Sequence, residues 1–131
     1  MTTLVALPDP SPALDEEALS RAVRGDVELV GELLALFRPE AAAALDRIEQ
    51  ALSDGDPSGA AAAAHAIKGT LASLHARTAA GTAGELEEMG TVSDLDRWVA
   101  LHARLRVQIR QVLGELEELV GRMESRTEGP T

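Results

Sequence analysis

Residues 60–76 read AAAAAHAIKGTLASLHA, and the interpretation of the whole chain starts from them. On an α-helix, at about 100° per residue, Ile67, Leu71 and Leu74 share one face with the alanines at the start of the stretch. His65 lies roughly 200° around the helix from Ile67 and therefore faces solvent. The stretch predicts an amphipathic helix with an accessible imidazole, whose neighbours one turn away are Ala61, Ala62, Lys68, Gly69 and Ala72.

Two of these neighbours are unusual for a helix surface. Lys68 is the only lysine in the chain, and its compact ammonium suits a point charge such as a phosphoryl group. Gly69 stands in the middle of the helix, where glycine costs about 1 kcal/mol relative to alanine. Open space at that position would compensate for that cost, but a tolerated helix defect explains the glycine equally well.

Composition favours a single helical domain. The chain has 131 residues, enough to bury a core. Its only aromatic residues are Phe37 and Trp98, while alanine and leucine dominate, which favours closely packed helices over a β-rich core. There is no cysteine, hence no disulfide framework and no thiolate metal site. With no signal peptide at the start and no apolar run of about 20 residues, we expect a cytoplasmic protein.

Charge and motif spacing exclude several functions. A net charge of −10 disfavours nucleic acid and anionic membranes as partners. The residues three positions before the histidines are Ala62, Ala72 and Val99, so the E-x-x-H pairs of a di-iron bundle are missing. The motifs of zinc proteases, P-loop proteins, dinucleotide-binding folds and serine hydrolases are missing as well.

Hydrophobic periodicity predicts a leading helix and four longer ones. Asp26 and Asp56 are expected as N-caps, Pro57 as a first helical residue, and Ser93 as the cap of the last helix. Pro39 is expected to kink the helix that contains it. The predicted helices cover residues 14–23, 27–52, 57–74, 77–89 and about 30 residues after Ser93. The predicted inward positions of the last helix are Leu95, Trp98, His102, Leu105, Ile109, Val112, Leu116, Leu119 and Met123.

Short loops between these helices predict an all-α fold, an up-down-up-down four-helix bundle with a short additional N-terminal helix. We expect the bundle domain at residues 13–125, a flexible lead-in at 1–12 and a flexible tail at 126–131. The last helix should outrun the helix of His65. Its far apolar end therefore needs a cover, which the N-terminal helix is expected to supply.

The five residues His65-Ala66-Ile67-Lys68-Gly69 resemble the H-x-x-K-G core of histidine phosphotransfer (HPt) domains. The resemblance extends over about residues 13–120 and includes the first long helix and the turn at residues 54–56. This chain departs from the family at Ala66, where Ser or Thr is usual.

The resemblance implies a carrier that accepts a phosphoryl group on His65 from the aspartyl phosphate of a receiver domain and passes it to another receiver. Lys68 would stabilise the phosphoryl charge, and Gly69 would give the partner clearance. The implied partners are a response-regulator receiver domain and a hybrid sensor histidine kinase. Mg²⁺ is expected on the receiver, with no metal or other cofactor in this chain. We expect a monomer without turnover of its own, with a partner surface at Ala61, Ala62 and Ala72.

Two other functions fit the same residues. A helical adaptor would keep the fold and bind receiver or kinase domains without chemistry. The phosphotransfer domain of a chemotaxis-type kinase shares H-x-x-K-G but needs an attached catalytic module, which we do not expect because none follows Thr131. His65 is expected to be the sole phosphosite, because His75 marks a helix end and His102 lies on the inward stripe of the last helix.

Overall fold

Five α-helices form the regular structure of residues 12–127, the part of the chain that this computed structural model describes, apart from the side chain of Thr127. They are α1 Glu16–Ala22, α2 Val27–Ser53, α3 Pro57–Ser73, α4 Arg77–Glu88 and α5 Leu95–Thr127. The predicted all-α class is confirmed, since these residues contain no strand. The predicted helices agree with these bounds to within about two residues, the usual uncertainty of a helix end.

Aspartate side chains cap the helices that begin after turns. Asp26 accepts a hydrogen bond from the backbone N–H of Leu29 at 3.2 Å, and Asp56 accepts one from Gly59 at 2.9 Å, as predicted. The predicted cap of the last helix is wrong. Asp94, and not Ser93, accepts the hydrogen bond from the backbone N–H of Arg97, at 3.1 Å. A carboxylate also interacts favourably with the positive end of the helix dipole.

The four long helices pack in a ring, in which α2 contacts α3, α3 contacts α4, α4 contacts α5, and α5 returns to α2. α2 continues through Pro39 as one helix, and its kink stays a prediction. One predicted core position is wrong, because Leu95 is 58% exposed. Leu95 is only the first residue of α5. The core begins one turn later at Trp98, which is buried and donates from Nε1 to the carbonyl of Val92 at 3.1 Å.

The N-terminal segment covers the far end of α5, as the helix lengths predict. Leu14, Leu19 and Val23 are buried in the same core as Leu116 and Met123. Residues 1–11 and 128–131, most of the predicted lead-in and tail, lie outside the described residues. At the other boundary, α5 extends two residues into the predicted tail.

A carboxylate on α5 fastens this segment to the bundle. Glu115 accepts hydrogen bonds from the backbone N–H groups of Ala13 and Leu14, at 2.8 and 2.9 Å. The backbone N–H of Asp15 donates to the carbonyl of His75, in the turn between α3 and α4, at 3.0 Å. The start of the described chain is therefore bonded to two separate parts of the bundle.

Replacing Glu115 by alanine should destabilise the fold, because two half-buried amides lose a charged acceptor. Hydrogen bonds to charged groups contribute about 1.5–3 kcal/mol. Water can replace part of this interaction in the variant, so we expect a loss of about 1–3 kcal/mol in the free energy of unfolding, measured by urea denaturation.

The matched control is Glu124→Ala, which removes the same charge from an exposed position on the same helix. It should change the free energy of unfolding by no more than about 0.5 kcal/mol. Equal stability of the two variants would contradict the role of Glu115.

Candidate functional site

Small residues allow α3 and α4 to approach each other closely around His65. A Cβ atom added to Gly90 would lie 3.2 Å from the Cβ of Ala61, and one added to Gly84 would lie 3.6 Å from the Cδ of Lys68. The close approach brings the intervening residue of α4, Glu87, against the exposed edge of α3.

The carboxylate of Glu87 bridges the two polar side chains of the motif. Its Oε2 lies 2.6 Å from Nδ1 of His65, and its Oε1 lies 2.5 Å from Nζ of Lys68. Each oxygen thus has its own partner, and the three side chains form one hydrogen-bonded group. The bridge fixes the position of the imidazole relative to both helices.

The bridge also determines which imidazole nitrogen keeps a free lone pair. The hydrogen bond from Lys68, with the help of His65, holds the pKa of the Glu87 carboxyl below its ordinary value, although desolvation opposes the shift. Glu87 is therefore ionised at neutral pH and can only accept hydrogen bonds. The neutral imidazole must then carry its proton on Nδ1, which leaves the lone pair on Nε2 free. Glu87 stops accepting these hydrogen bonds only when the pH falls below its lowered pKa.

The structure places the predicted site residues together and adds contacts that the sequence did not predict. The side chain of His65 is 67% exposed, as predicted, but it is held by Glu87 and does not stand in open space. Lys68 is half-buried in its pair with Glu87 and does not project freely beside alanines. Gly69 is exposed, and a Cβ atom added there would meet nothing within 4 Å.

The predicted partner surface is only partly accessible. Ala62 and Ala72 are exposed. Ala61 is only 8% exposed because Gly90, in the turn after α4, lies against it, so its inclusion in the partner surface is wrong.

The other two histidines lie away from this group. His75 lies in the α3–α4 turn with a φ of 60°, a left-handed conformation that favours glycine. His102 is half-buried, and its Nε2 lies 3.1 Å from the carbonyl oxygen of Leu45 on α2. Among the described residues, no group of three or more His, Cys, Asp or Glu side chains is arranged to hold a metal ion.

Sequence reasoning missed the role of Glu87. The short α3–α4 turn does pair the helices in antiparallel fashion, which brings residues near 85–88 to the level of His65. Three glutamates lie in that range, at positions 85, 87 and 88. Only the rotation of α4 about its axis selects Glu87, and the sequence pattern does not give that rotation to within one residue.

The family model of the Hpt domain matches residues 32–124, which include every residue of this hydrogen-bonded group. The chain belongs to the Hpt family. No curated protein and no solved structure shows significant similarity to it. Membership implies histidine phosphotransfer in phosphorelays, and Hpt domains act there as phosphoryl carriers that interact with receiver domains. None of the helices within residues 12–127 has the length and apolar character to span a membrane.

Removing the Glu87 carboxylate should change which nitrogen of the His65 ring carries the proton. In the wild-type protein at alkaline pH, ¹⁵N NMR of the His65 ring should show the proton predominantly on Nδ1. Glu87→Ala should shift the population toward the Nε2–H form, because Nδ1–H loses its acceptor.

Glu88→Ala is the matched control, because it removes the same charge from the next residue of α4 and leaves the bridge intact. Its His65 spectrum should match that of the wild type. A Glu87→Ala spectrum that also matches the wild type would show that the carboxylate does not select the tautomer.

Proposed function

We propose that this protein is a phosphoryl carrier whose acceptor atom is Nε2 of His65. It takes the phosphoryl group from the aspartyl phosphate of one receiver domain and delivers it to the aspartate of another. The proposal rests on the bridge from Glu87, which keeps the proton on Nδ1 while the ring stays 67% exposed. An exposed nucleophile on a rigid helix suits a reaction that depends mainly on in-line access and electrostatic stabilisation.

The transfer step needs no general base. The lone pair of Nε2 forms the N–P bond while the P–O bond to the aspartyl carboxyl group breaks, and the electron pair of that bond leaves with the aspartate oxygen. The proton on Nδ1 stays in place, so the imidazole ring gains positive charge. The carboxylate of Glu87, 2.6 Å from Nδ1, compensates for this charge. Delivery to the second receiver is the reverse of this step.

Lys68 and the small residues have supporting roles in the proposal. The ammonium group of Lys68 has three donors. One of them is directed at Glu87, which leaves others for an oxygen of the phosphoryl group. Gly69 leaves open space beside the site. Together with Ala62 and Ala72 it forms a surface of small side chains that a receiver domain can approach closely.

Membership of the Hpt family supports the choice of partners. One receiver would belong to a hybrid sensor kinase and the other to a response regulator, and Mg²⁺ would be bound by the receiver. We further propose that the carrier acts as a monomer. The ring of contacts from α2 to α5 supports an up-down-up-down four-helix bundle.

Substitution of His65 should abolish phosphorylation. When the protein is incubated with a phosphorylated receiver domain, the wild type should acquire an acid-labile label and His65→Gln should acquire none, because the amide is not a nucleophile.

The control is His75→Asn, in which asparagine tolerates the left-handed backbone of the turn. This variant should be labelled as fully as the wild type. Acid-labile label on His65→Gln would place the phosphosite elsewhere.

Lys68→Ala should slow the transfer more than it destabilises the fold. A partly exposed ion pair contributes at most about 1 kcal/mol, so the unfolding free energy should change little. The single-turnover rate of phosphoryl transfer should fall on the order of tenfold or more, because a cation near the developing charge stabilises the transition state.

Lys68→Arg separates charge from shape, because it keeps the charge but brings a broad planar group beside Gly84. We expect this variant to recover only part of the rate. If Lys68→Ala transfers at the wild-type rate with several receivers, the lysine has no part in the reaction.

A further inference from the structure

The charge of Lys68 is already compensated in the resting protein. Its Nζ lies 2.5 Å from Oε1 of Glu87, so the α4 side of His65 has one positive and one negative charge in contact. A phosphoryl group brings between about −1.5 and −2 charges at neutral pH. The whole chain also has a net charge of −10. A second cation near Nε2 would therefore favour transfer.

A cleft of about 450 Å³ lies between α2 and α3, next to the phosphosite. Its lining includes Ala66, the next residue after His65, and Ala62, one turn before it. Arg47, on α2, lines the same cleft. Arg47 therefore borders the same cleft as two residues that lie before and after the reactive histidine in the sequence.

The register of the two helices brings Arg47 to the level of His65. The side chains of Glu40 on α2 and Thr70 on α3 are hydrogen-bonded, which fixes one point of contact. From there, seven residues along α2 to Arg47 rise about 10.5 Å, and five residues back along α3 to His65 rise about 7.5 Å. The two positions thus differ by only about 3 Å along the helix axes.

The side chain of Arg47 is exposed and makes no hydrogen bond or ion pair with any other residue in the range 12–127. The acidic residues that line the cleft have other partners. Asp54 accepts from the side chain of Gln50 at 3.0 Å, and Asp56 accepts from the backbone of Gly59 at 2.9 Å. The guanidinium is therefore available for an incoming anion.

The orientation of the imidazole is compatible with transfer on this side of α3. Nδ1 faces Glu87 on α4, and the two ring nitrogens point in widely different directions. Nε2 is therefore turned away from α4, and α2 is the helix that contacts α3 on its other side. A phosphoryl group on Nε2 would approach the cleft that Arg47 lines.

We propose that Arg47 is a second phosphoryl-contacting residue, which donates to the phosphoryl oxygens while the group passes between the receiver aspartate and Nε2 of His65. This inference rests on the proposed function. The planar guanidinium presents paired donors that match the geometry of phosphoryl oxygens. Together with Lys68 it places a cation on each side of the transferred group. It forms no bond to phosphorus, and the electron pairs move as described for the transfer step.

Three variants test the role of Arg47 by single-turnover transfer from a phosphorylated receiver domain. Arg47→Ala should slow transfer about 10- to 100-fold, and Arg47→Lys should recover part of the rate because it keeps the charge without the fork. The matched control is Arg110→Ala, which removes the same charge from an exposed arginine in the groove between α2 and α5. It should stay within about twofold of the wild type, since surface substitutions away from a site change little.

A ³¹P NMR titration of the phosphorylated proteins distinguishes contact with the phosphoryl group from contact with the receiver. The pKa of the phosphoryl group on His65 should be lower in the wild type than in Arg47→Ala, because a nearby cation favours the dianion. Coincident titration curves, or equal rates for Arg47→Ala and Arg110→Ala, would overturn the assignment. If the wild-type protein acquires no label at all, the proposed function itself has failed, and the inference with it.

Discussion

The carboxylate of Glu87, shared between Nδ1 of His65 and Nζ of Lys68, is the interaction on which the site depends. It converts a flexible surface histidine into a ring with fixed orientation and a defined free nitrogen. The bridge requires α3 and α4 to lie close together, with Glu87 at the level of His65 and Lys68. That arrangement is supported by the contact of Gly90 with Ala61, one turn from His65. Backbone packing, side-chain position and the choice of free ring nitrogen are thus linked through a single carboxylate.

The remaining helices keep this pair of helices in place while leaving its outer face free. α2 and α5 close the ring behind α3 and α4, and their buried side chains form one continuous core. Because α5, with 33 residues, is much longer than α3, with 17, it extends beyond the ring and needs the cover that Leu14 and Leu19 provide. Glu115 fastens this cover at the end of the bundle marked by the α3–α4 turn. Covering the overhang therefore does not obstruct His65.

Most local features of the fold were predictable from the sequence, apart from the cap of α5 at Asp94, and features that depend on neighbouring helices were not. Periodicity and capping predicted the helix bounds, because both depend on residues within one or two turns, as at Asp56. Periodicity treats every inward position alike, so it did not detect that Leu95 lies at the exposed end of its helix. Angular position around α3 placed Ala61 beside His65 but did not show that Gly90 covers it. Glu87 was missed for the same reason, since its role depends on the rotation of α4.

The measurement that tests this account most directly is the location of phosphorus on the imidazole ring. The protein, labelled with ¹⁵N in its histidines and phosphorylated by a receiver domain, can be examined for ³¹P–¹⁵N coupling. The account predicts coupling to Nε2 of His65, with the proton retained on Nδ1 next to Glu87. Coupling to Nδ1, or to a nitrogen of another histidine, would contradict it, because the carboxylate would then not define the reactive nitrogen.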